Sequence, residues 1–236
     1  MGENPRLLEL QRSKYFYGRR MSGCRMNTLS AIVYVIDDDP SIRQRIKHLS
    51  GSVGLETIFF ESAKEFLANR LPTVPSCTVL EVRLCGMSGL DVQNWLIEVG
   101  VHTPMIFLTA HGDIPMAVRA MKAGAVNFLT KAFRDQDLLD SVQEALERDK
   151  ARRRQEAEIS ELWERFESLT PRERAVLPLV TSGLPSKAIA AMIGTSVTTV
   201  KVHRSKLTRK TGARSVAELV KTATKLDIAR QYQRQL

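Results

Sequence analysis

Four short apolar runs in the first half of the chain each end in side chains that could do chemistry. Ala31–Ile36 runs into Asp37, Asp38 and Asp39, and Cys77–Leu80 runs into Glu81 and a turn with two glycines. Pro104–Leu108 ends at Thr109, and Ala125–Leu129 leads to Thr130 and Lys131. A short apolar run that stops at a polar residue reads as a buried parallel strand delivering that residue to the carboxyl edge of a sheet. Open α/β sheets hold their ligand chemistry at that edge. Carboxylates, a hydroxyl and an ammonium would converge there, a set suited to handling a phosphoryl group.

The intervening segments must position those strands. Pro40 suits the first turn of a helix with Ile42, Ile46, Leu49 and Val53 on one face. Leu55–Phe60 reads as a further strand, and Ser62 as the cap of a short helix through Phe66 and Leu67. Val92, Trp95, Leu96 and Val99 mark an inward helix face. Another helix runs from about Asp113 to Gly124, and a last one carries Leu139, Val142, Ala145 and Leu146. Five strands alternating with helices predict an α/β domain, a five-stranded doubly wound parallel sheet.

The second half is patterned for helices alone. Thr170 and Glu173 form a capping box around Pro171, ahead of Val176, Leu177 and Val180, and Pro178 should bend that helix. Ser186 is expected to cap a second helix, which Gly194 stops, and Ser196 a third, which Gly212 stops. Ser215 and Glu218 form another capping box for a fourth helix with Leu219, Val220 and Ala223. Two short helices joined by a Gly-containing turn make a helix-turn-helix, so an all-α four-helix domain is expected here. On the third helix Val200, His203 and Leu207 share an inner face. Thr198, Lys201, Val202, Ser205 and Arg209 lie opposite, a polar and basic face suited to the major groove of double-stranded DNA. Arg204, Lys206 and Lys210 lie beside it, where phosphates would be met.

Charge supports this division. The net +9 is uneven: residues 31–150 hold 12 Lys and Arg against 16 Asp and Glu, whereas residues 169–236 hold 13 against 3. Only the second part is built to meet a polyanion. With 43% hydrophobic residues among 236, the chain has enough apolar material for two cores. Its three cysteines, Cys24, Cys77 and Cys85, lack disulfide or zinc spacing, and no apolar run reaches the length of a membrane span. The basic residues 1–30, without the apolar centre of a secretory signal, read as a disordered extension, and a cytoplasmic protein without membrane partners is expected. Residues 147–168 read as a helical linker, with a stripe of Ile159, Leu162, Phe166 and Leu169.

The segments VYVIDDDPSIR, VLEVRLCGMSGLDVQ and FLTAHGDIPMAVRAMKAGAVNFLTKAF resemble the receiver domain of bacterial two-component response regulators of the FixJ/NarL type, which has a flavodoxin-like fold. The stretch from Leu169 to Val220 resembles the LuxR-type helix-turn-helix. The resemblance implies a receiver over 31–146, a DNA-binding domain over 169–236, a homodimer on DNA pairing through Val216, Leu219, Val220 and Ala223, and a sensor histidine kinase as partner in a phosphorelay. In such receivers Asp37 and Asp38 match the acidic pair, Thr109 the hydroxyl that senses the phosphoryl group, Phe128 the aromatic switch, and Lys131 the lysine that neutralises that group. Asp38, the acceptor position and the backbone carbonyl of Arg83 would hold Mg²⁺, an ion that requires hard oxygen ligands.

Three positions depart from that pattern. The phospho-acceptor position is Glu81 in place of aspartate, Cys85 replaces a proline, and Ala132 follows Lys131 where the family has a proline after a cis bond. A cis bond before a non-proline residue costs about 2.5–4 kcal/mol, so a trans bond and a displaced Lys131 are expected. Glu81 is expected either to mimic a phosphoryl group in part, or to leave a pocket that no longer responds to phosphorylation, with Mg²⁺ binding weakened. Two other functions compete with a regulator that is not an enzyme. Asp37 and Asp39 resemble the DxD of Mg²⁺-dependent haloacid-dehalogenase phosphatases, but no cap insertion follows. A protein-binding adaptor would use the receiver face without DNA.

Overall fold

The computed structural model describes residues 31–69 and 74–233, with side chains through Lys225; the expected extension over 1–30 lies outside the described residues. The chain divides into two compact units, 1–153 and 154–236.

In the first unit, strands β1 (Ile32–Ile36), β2 (Glu56–Phe60), β3 (Ser76–Leu80), β4 (Met105–Thr109) and β5 (Asn127–Thr130) form one parallel sheet in the order β2-β1-β3-β4-β5. Every residue of β1, β3 and β4 is buried, which is why these strands read as unbroken apolar runs rather than alternating ones. Register puts Ile36 beside Leu80 and Leu80 beside Phe107. Asp37, Glu81 and Thr109 thus leave three adjacent strands at one edge.

Helices cover both faces. On one face, α2 (Ala63–Ala68), α3 (Gly89–Glu98) and α4 (Ile114–Lys122) contribute Phe66, Val92, Leu96 and Ala120 to the core. On the other, α1 (Pro40–Ser52) and the start of α5 (Asp135–Glu167) contribute Ile46, Leu138, Val142, Ala145 and Leu146. Two expected core positions are corrected. Leu138, not the half-buried Leu139, is the fully buried member of the pair, and Val53 is 51% exposed because it follows the end of α1. Asp39 leaves the pocket's chemistry altogether: its carboxylate caps α1 by accepting the Ser41 N–H at 2.9 Å.

The second unit holds α6 (Pro171–Thr181), α7 (Ser186–Ile193), α8 (Val197–Thr211) and α9 (Val216–Gln233). Leu169, Val176, Val180, Ile189, Val200, Leu207 and Leu219 make its core, and Phe166 at the end of α5 packs against it. Thr170 and Glu173 form the capping box as expected, and Ser196 caps α8 through the Thr199 N–H. Ser186 does not cap α7. Pro185 occupies that position and Ser186 is the first helical residue, without a side-chain cap. Gly194 and Gly212 take left-handed backbone angles, with φ of 63° and 70°, ending α7 and α8. Among the described residues no helix is long and apolar enough to cross a membrane.

Candidate functional site

The first unit's site lies where the three buried strands end. Asp37 is 1% exposed, Glu81 4% and Thr109 0%, while Asp38 stands open to solvent. Lys131 reaches in from the end of β5 and bridges two carboxylates, with Nζ 2.9 Å from Asp37 Oδ1 and 3.0 Å from Glu81 Oε2. The expected displacement of Lys131 is therefore overturned. There is no cis peptide bond among the described residues, as expected with Ala132. The Lys131 N–H still bonds to the Thr109 carbonyl at 2.8 Å, continuing the pairing of β4 with β5, and the long side chain spans what remains.

Glu81 is fully engaged. Its Oε1 accepts the Arg83 N–H at 3.0 Å and Oε2 meets Lys131. Burial pushes Glu81 upward, but the hydrogen bonds from Arg83, Thr109 and Lys131 outweigh it and hold the group below the usual glutamate range. Asp37 goes the other way. Burial raises it beyond what the Asp39 N–H and Lys131 offset. Its Oδ2 is buried with no hydrogen-bond partner. Lys131 loses solvation but gains two carboxylates, and its pKa is raised.

Thr109 and Phe128, the expected switch pair, lie together. Phe128 is half-buried beside Phe107, with ring centroids 6.1 Å apart, and its edge lies over Gly112. A Cβ at Gly112 would stand 2.7 Å from the Phe128 ring and 3.0 Å from the Thr109 methyl. Glycine there leaves room for both the Phe128 ring and the Thr109 methyl. Sequence reasoning missed this residue, and it missed Arg43, which donates to the Asp37 carbonyl at 2.7 Å and pairs with Glu61 at 2.8 Å. The position of Gly112 in the loop after Thr109 was its only signal; Arg43 had none.

The Mg²⁺ site carried over from the resemblance required Asp38, Glu81 and the Arg83 carbonyl. Asp38 and the orphaned Asp37 Oδ2 are hard oxygens of the right kind. Both Glu81 oxygens already meet a donor, and the Lys131 ammonium lies between that carboxylate and Asp37. Among the described residues no three His, Cys, Asp or Glu side chains come together as a metal cluster. The donors do not fit the ion as that site requires.

On α8 of the second unit, Thr198, Lys201, Val202, Ser205 and Arg209 are exposed on one side, with Val202 47% exposed, and Val200 and Leu207 are fully buried on the other. His203 is half-buried with its Nδ1 enclosed and unpartnered. Of the three cations expected to meet phosphates, Lys206 is free to do so. Arg204 is half-buried and donates to the Leu184 carbonyl at 3.1 Å. Lys210 is turned inward and is corrected: its ammonium pairs with buried Glu173 at 2.7 Å. On α9, Leu219 is 3% exposed and belongs to the unit's own core, whereas Val216 is 41% exposed and Val220 and Ala223 are half-buried.

Comparison with known proteins gives both units relatives. The family described as response regulator receiver domain matches residues 33–143, and that described as bacterial regulatory proteins, luxR family, matches residues 167–223. Nodulation protein W of Bradyrhizobium diazoefficiens is 47% identical over 220 residues, covering 93% of this chain and 97% of that protein. The response regulator protein TodT of Pseudomonas putida is 41% identical over 201 residues, covering 85% and 88%. Among solved structures, response regulator StyR has a TM-score of 0.77 at 43% identity, covering 83% of this chain and 99% of that one. Full-length FixJ from B. japonicum has a TM-score of 0.51 at 34% identity, covering 85% and 99%. With an acid-edged parallel sheet in one unit, a basic helix-turn-helix in the other and relatives that match along nearly their whole length, the chain belongs to the FixJ-type bacterial response regulators.

Proposed function

We propose that this response regulator controls transcription through a receiver whose switch is held by Glu81 rather than by phosphoryl transfer. The carrying observation is that the Glu81 carboxylate is met by the Lys131 ammonium and the Arg83 N–H, at the strand edge it shares with Thr109. Such donors would otherwise serve an incoming phosphoryl group. Glutamate brings one charge, against about −1.5 to −2 and three acceptor oxygens for a phosphoryl group, so the mimicry is partial. The inward Phe128 over Gly112 supports the same reading. Domains over 31–146 and 169–236 then divide the work. The second binds double-stranded DNA in the cytoplasm as a homodimer through Val216 and Val220, with Thr198, Lys201, Val202, Ser205 and Arg209 facing base edges and Arg204 and Lys206 beside them. A sensor histidine kinase, in this reading, is not the source of the active state.

Labelling with a small acyl-phosphate donor tests the receiver half. Wild type should take no stable phosphoryl group, and Glu81→Asp should restore labelling, because Asp38, Thr109 and Lys131 remain in place. Strong labelling of wild type that Glu81→Gln abolishes would refute the proposal.

A further inference from the structure

The cations around α8 do not all face outward. Lys210, near the C-terminal end of that helix, donates to the Ser168 carbonyl at 2.9 Å and pairs with Glu173 Oε2 at 2.7 Å. Glu173 is 2% exposed, and the same oxygen accepts the Thr170 N–H at 2.9 Å. Arg165, in the last turns of α5, donates to the carbonyl of Thr211, the final residue of α8, at 3.2 Å and pairs with Glu161 at 2.6 Å. A Cβ at position 212 would stand 2.5 Å from Arg165 Nη1, so Gly212 clears the guanidinium's path as well as taking a φ of 70°. Arg174 completes the arrangement by donating to the Glu167 and Leu169 carbonyls at 2.8 and 3.1 Å, its guanidinium over the Phe166 ring.

The last carbonyls of a helix have no partners within it and carry partial negative charge, so cations are favoured there. Here they do more than end two helices, because Lys210 belongs to α8 and bonds past the end of α5, while Arg165 belongs to α5 and bonds the end of α8. Each helix end is held by a side chain of the other. We propose that Lys210 and Arg165 are positioning residues for DNA recognition. They fix the C-terminal end of α8 against the end of α5, and so set the angle at which the Lys201 face meets the groove. This rests on α8 being the recognition helix. It also takes Lys210 away from the phosphates.

The test measures the full chain's affinity for two duplexes across a range of salt: one selected from random sequence by the wild type, and one unrelated. Were Lys210 a phosphate contact, Lys210→Met would flatten the slope of log affinity against log salt by about 0.9 and weaken both duplexes alike. As a positioning residue, its loss leaves the slope unchanged and lowers the ratio of selected to unrelated affinity about tenfold, the equivalent of one misplaced base contact. Lys210→Arg should restore the ratio. Reduced folding alone would lower both affinities together and leave the ratio where it was. If Lys210→Met does not fold, Arg165→Gln makes the same comparison, since its loss frees a carbonyl without stranding a buried carboxylate. A ratio that stays at the wild-type value in the folded variant, or a slope flattened by a full phosphate contact, overturns the proposal. A wild type with no salt-dependent duplex binding would overturn the recognition reading first, before any variant is made.

Discussion

Glu81 and Glu173 are both buried, at 4% and 2% exposed, and each meets a lysine, Lys131 at 3.0 Å and Lys210 at 2.7 Å. Their surroundings differ in one respect that matters. Glu173 has Lys210 as its own cation, backs it with the Thr170 N–H, and faces no second carboxylate. The Lys210 hydrogen bond and that N–H hold it down to about 2. Glu81 shares Lys131 with Asp37, which is raised by burial and keeps an unpartnered Oδ2. One lysine for one carboxylate makes a closed pair that holds a fold. One lysine between two carboxylates makes a pocket with surplus negative charge, in which changing any member rearranges the others.

The largest effect that follows is on the second unit. Glu173→Ala strands Lys210 and opens the capping box, and should lower stability by about 2–3 kcal/mol in urea denaturation. That is less than the 3–5 kcal/mol of a fully buried pair, because the Lys210 side chain keeps 27% exposure. A loss under about 0.5 kcal/mol, the range of ordinary surface substitutions, would erase the contrast between the two pairs.

Acid should separate them as well. Glu173 is depressed from 4.5 to about 2, so its contribution is complete above pH 4.5 and is lost as pH falls from there to about 2. Melting wild type and Glu173→Gln across that window should show their stability difference shrinking. In the receiver the directions oppose. Glu81, held low, loses stabilisation as pH falls, whereas protonating Asp37, held high, relieves a buried charge. The first unit should therefore respond to acid less steeply than the second.

Lys201→Ala should flatten preference among duplex sequences by about 1–3 kcal/mol if it reads a base edge. Equal loss on every sequence would assign Lys201 to phosphate instead. An effect of similar size is expected for Gly112→Ala, where a methyl at 2.7 Å from Phe128 forces the ring or Thr109 to shift. Overpacking of this kind costs about 1–3 kcal/mol, and it should weaken DNA binding by the full chain more than it lowers the melting temperature of the second unit.

The strand ends were the most legible part of the sequence, because a fully buried strand reads as an apolar run and the residue that ends it must be polar for a reason. Asp37, Glu81 and Thr109 were found that way. Periodicity also gave the inner face of α8 through Val200 and Leu207. It could not give the aim of long cations. Lys210 falls beside the exposed face on a helical projection, yet its four-carbon stem carries the charge to Glu173, 37 residues earlier. Lys131 differs in the opposite sense: the bond before Ala132 is trans, as losing the proline dictates, yet the long side chain still reaches two buried carboxylates. Residue type alone favours Ser186 as a cap, but the proline before it already occupies the non-helical position. Reach and competition among distant partners, not local propensity, account for each of these differences.

Whether Glu81 itself holds the receiver's switch is read by comparing DNA affinity and dimerisation of full-length wild type and Glu81→Gln, at fixed salt and without any phosphoryl donor. Glutamine keeps the length and loses the charge that draws Lys131 and Thr109. Glu81→Gln should dimerise and bind DNA more weakly, with the affinity of the Lys201 face for phosphate, read from the salt slope, unchanged. Equal affinity and equal dimerisation in the two proteins, both fully folded, would contradict a switch held by Glu81.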